Sequence, residues 1–218
     1  MKRVRAWQLR GKTRPAVTPA RPVTAVALAP LRTPRLLLRD LRSEDRAAFR
    51  NAFDRSHESL QRWLPLARAD ETAEELFERL SADCRAEANP PRQTWRRAVF
   101  IDASRFAGLI SLTHITRGLE WEANINWWIS SEHGRRGYAT EAVQAVVDYA
   151  TAELPRGLGL TRLTAMILPE NLASRRLATR TGFIDYGAVR QPVAFASRWL
   201  RPLQFEFRVQ LTPLAAAA

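Results

Sequence analysis

An apolar strand that runs through a two-glycine turn directly into a helix is the strongest constraint in this chain. It occupies residues 127–141, WWISSEHGRRGYATE. The strand ends near Ile129, Gly134 and Gly137 lie in the turn, and helical periodicity begins at Tyr138. Glycines let the backbone curl close to a ligand, so that successive amides face outward. The first turn of the helix adds unsatisfied N–H donors and the positive end of its dipole. Arg135 and Arg136 add charge. This junction suits a pyrophosphate. An ordinary strand-to-helix turn with solvated arginines would use the same residues and stays open at this point.

The rest of the chain limits what can surround that junction. At 218 residues with 46% apolar and 26% charged side chains, it is long enough for one domain with an ordinary core. No apolar run reaches the length of a transmembrane helix. Cys84 is the only cysteine, and His57, His114 and His133 lack metal-ligand spacing, so no metal is expected. A reducing, cytoplasmic setting fits. The net charge is +12, yet residues 1–39 hold ten basic residues and no acidic one, which leaves +2 for residues 40–218. The basicity belongs to one end, so a nucleic-acid-binding body is not expected. Residues 1–31, broken by Pro15, Pro19, Pro22 and Pro30, read as a flexible basic extension that can touch acidic RNA or a ribosome surface. The domain is expected over residues 32–212, followed by a short tail over 213–218.

Periodicity places the remaining elements. Residues 35–41 (RLLLRDL) form a first strand, and Ser43 caps a helix to about Phe53. Residues 60–66 read as a loop or short helix. Ala73, Leu76, Phe77, Leu80 and Cys84 share one helical face, which puts Cys84 in the core. Strands follow over 96–102, 106–115 and 123–129, then the helix from Tyr138, a strand over 161–168, and a helix capped by Asn171 that ends before Gly182. Segments 183–193 and 204–211 close the domain as strands.

The joint order of GRRGYATEA after a strand, a strand ending in LPEN, and NLASRRLATRTGF resembles the GNAT acetyltransferases. TPRLLLRDLRSED, RWLPL and the central HITRGLEWEANINWWIS bring it nearest the RimJ/RimL-type branch, which acetylates protein N-terminal amines. The resemblance covers about residues 33–211. It implies an α/β fold with a mixed, mostly antiparallel central sheet flanked by helices, as a monomer or homodimer, and acetyl-CoA as donor.

The resemblance also implies roles. The family phosphate loop, Q/R-x-x-G-x-G/A, falls on Gly134-Arg135-Arg136-Gly137-Tyr138-Ala139, with glycine replacing the usual first residue. The amides of Arg135, Arg136, Gly137, Tyr138 and Ala139 would hold the pyrophosphate, helped by the Thr140 hydroxyl. The pantetheine arm would lie between two splayed strands, pairing with backbone at Trp128, Ile129 and Ser130. Asn171 and Ser174 match an N-x-x-S motif that holds pantetheine or lies near its sulfur, while also making an ordinary helix N-cap. The tyrosine that often protonates the leaving thiolate is replaced by Ala178. Ser174 is the nearest hydroxyl by motif. A Glu frequent in the strand before the loop is replaced by Asn124, which leaves Glu122 as the expected base and His114 as its rival. Trp127 and Trp128 point to opposite faces, one into the core and one walling the acetyl or acceptor site. Trp63, Leu64 and Arg68, the 116–121 loop, and Arg198-Trp199 are the expected acceptor-side residues. The acceptor is a protein N-terminus, with a small amine (antibiotic, polyamine or amino acid) as the alternative. A catalytically silent acetyl-CoA-binding protein is a third possibility.

Overall fold

The computed structural model describes residues 29–64, 71–86, 93–195 and 198–209. Eight strands form one sheet: β1 (Leu31–Arg32), β2 (Leu36–Arg39), β3 (Trp95–Ile101), β4 (Arg105–Arg117), β5 (Trp121–Ile129), β6 (Arg162–Ile167), β7 (Ile184–Ala188) and β10 (Leu203–Arg208). Their spatial order is β1-β2-β3-β4-β5-β6-β10-β7. All neighbours are antiparallel except β5 and β6, which run parallel. A separate hairpin, β8 (Val193–Phe195) and β9 (Arg198–Leu200), stands apart from the sheet.

Period-2 alternation sorts the strand side chains onto two cores. On one face Leu37, Ala98, Phe100, Leu109 and Trp128 meet α1 (Arg46–Trp63) and α2 (Ala73–Ala86). On the other, Val99, Ile110, Ala123 and Ile125 meet α3 (Tyr138–Thr151) and α4 (Leu172–Arg180). The apolar stripe Ala142, Val143, Val146, Val147 and Ala150 of α3 is wholly buried, as its spacing requires. Cys84 is buried in α2.

Three expectations about elements need correction. Ser43 does not cap α1. It opens a 3-10 turn, Ser43–Asp45, and the Asp45 carboxylate accepts the Arg42 amide (2.8 Å) and pairs with Arg39 (2.7 Å). Nor does α1 stop near Phe53, because Ser56 and Leu60 continue the buried stripe of Phe49, Ala52 and Phe53 as far as Trp63. Segment 183–193 is not one strand. It leaves the sheet after Ala188, and Pro192, which has no N–H, precedes the β8–β9 hairpin. Of the basic extension, residues 1–28 lie outside the described residues, while Leu31 already pairs with Leu38. The 213–218 tail and Arg68 also lie outside them.

Candidate active site

The junction read from the sequence is built as expected. After β5 comes a 3-10 turn, Ser131–His133, and then Gly137 as the N-cap of α3 at φ 80°. Arg135 adopts φ 59°, a left-handed conformation uncommon for a residue with a side chain. Left-handed residues beside a helix start turn successive amides toward one point. The cradle is braced from outside by the turn between β1 and β2. The Arg35 guanidinium donates to Glu141 (2.7 Å) and to the Arg136 carbonyl (3.0 Å) and lies over the Tyr138 ring at 4.7 Å. The Thr33 hydroxyl and the Arg35 amide also donate to Glu141.

Burial alone would raise the Glu141 carboxyl. The hydrogen bonds from Thr33 and Arg35 outweigh it and hold the group below its usual 4.5. A lowered folded pKa means that the unfolded chain binds the proton more tightly. The brace therefore contributes fully above about pH 4.5 and is lost as pH falls through the lower folded value. Glu141→Gln should lower Tm at pH 7, and the gap from the unsubstituted protein should narrow as the pH falls from neutrality to below the usual carboxylate range. Thermal melts across that range check this; a pH-independent gap would refute it.

From the cradle a cleft of about 560 Å³ runs between β5 and β6 to the C-terminal end of α1. It exists because the two parallel strands pair only from Glu122–Asn124 to Arg162–Thr164 and then part. The Trp121 carbonyl accepts the Thr161 amide (2.7 Å) on the β6 side, whereas the Ser130 amide donates to Ala107 (2.7 Å) on the β4 side. By alternation, the backbones of Ile125, Trp127 and Ile129 face the open split. Those of Trp128 and Ser130 are already paired with β4. Of the three positions expected to meet pantetheine, only Ile129 is therefore free to do so, and Trp127 joins it. Ser130 is fully buried and lies outside the cleft lining.

The two tryptophans separate as alternation requires. Trp128 is the core residue, edge-on to Phe49 at 6.2 Å. Trp127 lies on the α4 side against Phe183, and its indole N–H donates to the Ser174 hydroxyl at 3.3 Å. Asn171 accepts the Ser174 amide at 3.1 Å, so the helix-capping role is met, and both residues still line the cleft. Tyr138, Ala139 and Thr140 line it from α3, and Trp63 and Leu64 from α1.

Other expected residues are not brought in. Glu122 is ion-paired with Arg162 where β5 and β6 are still joined, outside the cleft lining. His114 sits exposed in a bulge of β4 at φ 51°, with its ring nitrogen 3.5 Å from the Asn124 amide. Ala178 is buried under the sheet, so that position faces the core rather than the cleft. Arg136 is exposed and contributes its carbonyl to the Arg35 brace. The side chain of Arg198 is outside the described residues, while Trp199 is 74% exposed.

Sequence reasoning missed three contributors: Asn126 on β5, and Arg176 and Arg180 on α4. The arginines recur at i and i+4 beside Ala173 and Leu177, a spacing that puts them on one helical face. No carboxylate lines this cleft among the described residues, and Arg135, Arg176 and Arg180 carry no ion pair there. Free amides, a left-handed glycine and unpaired guanidiniums fit the phosphates of coenzyme A. Among the described residues, no cluster of His, Cys, Asp or Glu is suited to a metal, and no helix is long and apolar enough to cross a membrane.

Comparison with known proteins agrees with this fold. Among curated proteins, YjcK of Bacillus subtilis (strain 168), named a probable N-acetyltransferase, is 38% identical over 95 residues, which is 44% of this chain and 50% of YjcK. The chain thus spans half the length of that relative. YoaA of the same organism, named an uncharacterized N-acetyltransferase, is 29% identical over 74% of this chain and 86% of its own. Among solved structures, Mycobacterium smegmatis RimJ in complex with a CoA disulfide superposes with a TM-score of 0.71 at 24% identity, over 87% of this chain and 90% of that one. The ribosomal-protein-S5-alanine acetyltransferase of Vibrio fischeri gives a TM-score of 0.69 at 20% identity, over 83% and 96%. At these identities the likeness is one of fold. The family model of the GNAT acetyltransferase domain matches residues 35–184, which span the braced cradle, the strand split and the capped helix α4, and the chain therefore belongs to the GNAT acetyltransferase family, whose donor is acetyl-CoA.

Proposed function

We propose that this chain moves the acetyl group of acetyl-CoA to the N-terminal α-amine of a protein, by direct attack of the amine on the thioester. The carrying observation is the charge of the lining: among the described residues the cleft has no carboxylate, and the cavity that adjoins it at Trp63 has one, Glu170, beside Arg62 and Arg201. Polyamines and aminoglycosides are polycations and need acidic walls, whereas a peptide α-amine carries one charge and must lose it before reacting. Solved neighbours that are named as ribosomal-protein acetyltransferases support the same acceptor class. The basic stretch over residues 1–39 suits an acceptor presented on an RNA-rich particle.

In this reading the cradle amides of residues 135–139 and the guanidiniums of Arg135, Arg176 and Arg180 hold the donor phosphates. The free backbone of Ile129 and Trp127 aligns the pantetheine arm, and an amide of that edge polarises the acetyl carbonyl. The neutral amine forms the new C–N bond, the C–S bond breaks, and the thiolate departs. Ser174, oriented by Trp127 and Asn171, is the hydroxyl that the motif assigns to donate to that sulfur. Glu122 is committed to Arg162, and among the described residues no carboxylate lines the cleft to take the amine proton. Water removes it, and the reactive fraction is set by the amine's own pKa of about 7.7–8.0.

The test is CoA release with short peptides, free or blocked at the N-terminus, set beside polyamines, aminoglycosides and amino acids. Turnover should require a free peptide N-terminus, and kcat/KM should rise with pH up to about 8 and then level off. Turnover confined to small amines would overturn the proposal. Tight acetyl-CoA binding with no acceptor at all would identify a silent binding protein.

A further inference from the structure

A second cavity, of about 300 Å³, adjoins the cleft and shares the wall made by Trp63. Its other walls are Leu168, Pro169 and Glu170 after β6, Leu200 and Arg201 between β9 and β10, and Arg62 at the end of α1. These walls are held in place. The Pro169 carbonyl accepts Arg175 (3.1 Å), the Leu168 carbonyl accepts the Asn171 amide (2.9 Å), and the Pro202 carbonyl accepts the Val189 amide (3.0 Å). Arg62 lies over the Trp63 ring at 4.4 Å. Apart from that stacking of Arg62, the three charged side chains that line the cavity, Arg62, Arg201 and Glu170, have no ion pair among the described residues.

We infer that this cavity is an acceptor subsite for a carboxylate, supplied by an acidic side chain at the second or third position of the acceptor peptide. The inference rests on the peptide-acetylating reading above. Two guanidiniums against one carboxylate leave the cavity with a single positive charge. A monoanion matches that charge and takes the paired N–H donors of an arginine. A phosphate dianion would meet repulsion from Glu170, and a lysine side chain would meet repulsion from both arginines. Position follows from the shared wall. The cavity is one side chain's width from the cleft in which the amine reacts, which is within reach of one or two extended residues at about 3.3 Å each. The site is assigned to the acceptor because the residue it shares with the cleft is Trp63 at the end of α1, and none of the cradle residues 133–140 lines it.

The experiment compares kcat/KM for peptides that begin with the same residue and carry Asp, Ala or Lys at positions two and three. Free aspartate and glutamate are included as acceptors. Asp peptides should exceed Lys peptides by roughly fivefold or more at low salt, the size expected for partly exposed charge pairs. In R201E the Asp-to-Lys ratio should invert. R62E tests the same ratio independently, and acetyl-CoA affinity measured alongside shows that each variant has folded. Equal rates for all peptides, or a preference for Lys, would overturn the subsite and leave N-terminal acetylation standing. Transfer to free aspartate or glutamate with none to peptides would overturn the peptide reading and keep the carboxylate preference. An Asp preference that both variants leave unchanged would place the recognition elsewhere.

Discussion

Gly137→Val should weaken acetyl-CoA binding by roughly a hundredfold in a chain that still folds. Gly137 holds φ 80° at the head of α3, where a β-branched residue is strained by about 1–3 kcal/mol. Its added Cβ would meet the Arg35 guanidinium at 3.3 Å, the group that braces the loop through Glu141 and the Arg136 carbonyl. Relief comes from rotating the loop, which turns the cradle amides away from the phosphates. Loss of two charge-assisted hydrogen bonds at about 1.5 kcal/mol each weakens binding by roughly a hundredfold. Calorimetric titration with acetyl-CoA, with circular dichroism as a fold control, measures this. Affinity within about threefold of the original would remove the phosphate-loop assignment.

Gly108→Ala should destabilise the whole domain, and by more than most single core substitutions. Gly108 lies opposite Ile129 in the β4–β5 ladder. A Cβ there would stand 2.0 Å from the Trp128 carbonyl oxygen and 2.9 Å from the Ile129 Cα. Both are backbone atoms of the neighbouring strand, so no rotamer change relieves the clash and the two strands must part. A forced separation of a buried central ladder costs about 3 kcal/mol or more. For a domain of this size, that lowers Tm by roughly 10 °C. Because the same stretch of β5 presents the Ile129 backbone to the cleft, any folded fraction should also show a raised KM for acetyl-CoA. A Tm within about 2 °C of the unsubstituted protein would show that the strands separate there without strain.

These two glycines differ in how visible they are beforehand. Gly137 is legible because it stands in a motif between a strand and a helix, where only a positive φ makes the turn. Gly108 sits in an unremarkable apolar run, and its role depends on which backbone happens to lie across from it. The same division holds across the site. Asn171 was readable as a cap and proved to be one. The pantetheine-facing backbone is expected from the resemblance at Trp128, Ile129 and Ser130, but the pairing of β5 with β4 consumes Trp128 and Ser130 and leaves Ile129, with Trp127, unpaired at the split. The resemblance puts a base near Asn124 and alternation puts Glu122 on that face, yet neither speaks of Arg162 on the next strand, which pairs with Glu122.

What the sequence determined by itself was local. Apolar patterning placed α2, α3 and the three central strands, since each element needs one face that water does not reach, and the Asn171 cap with the Gly182 stop placed α4. Glycine spacing located the left-handed strand-to-helix turn, because backbone freedom is a property of the residue. The tertiary structure decided everything that depends on a partner distant in the chain. It set where β5 and β6 part, which amides remain unpaired at that edge, and which carboxylate is neutralised by a guanidinium. It also brought Arg62 and Arg201 to one cavity from opposite ends of the domain. Hydrogen bonds and ion pairs are consumed by neighbours, and neighbours are chosen only when the layers pack.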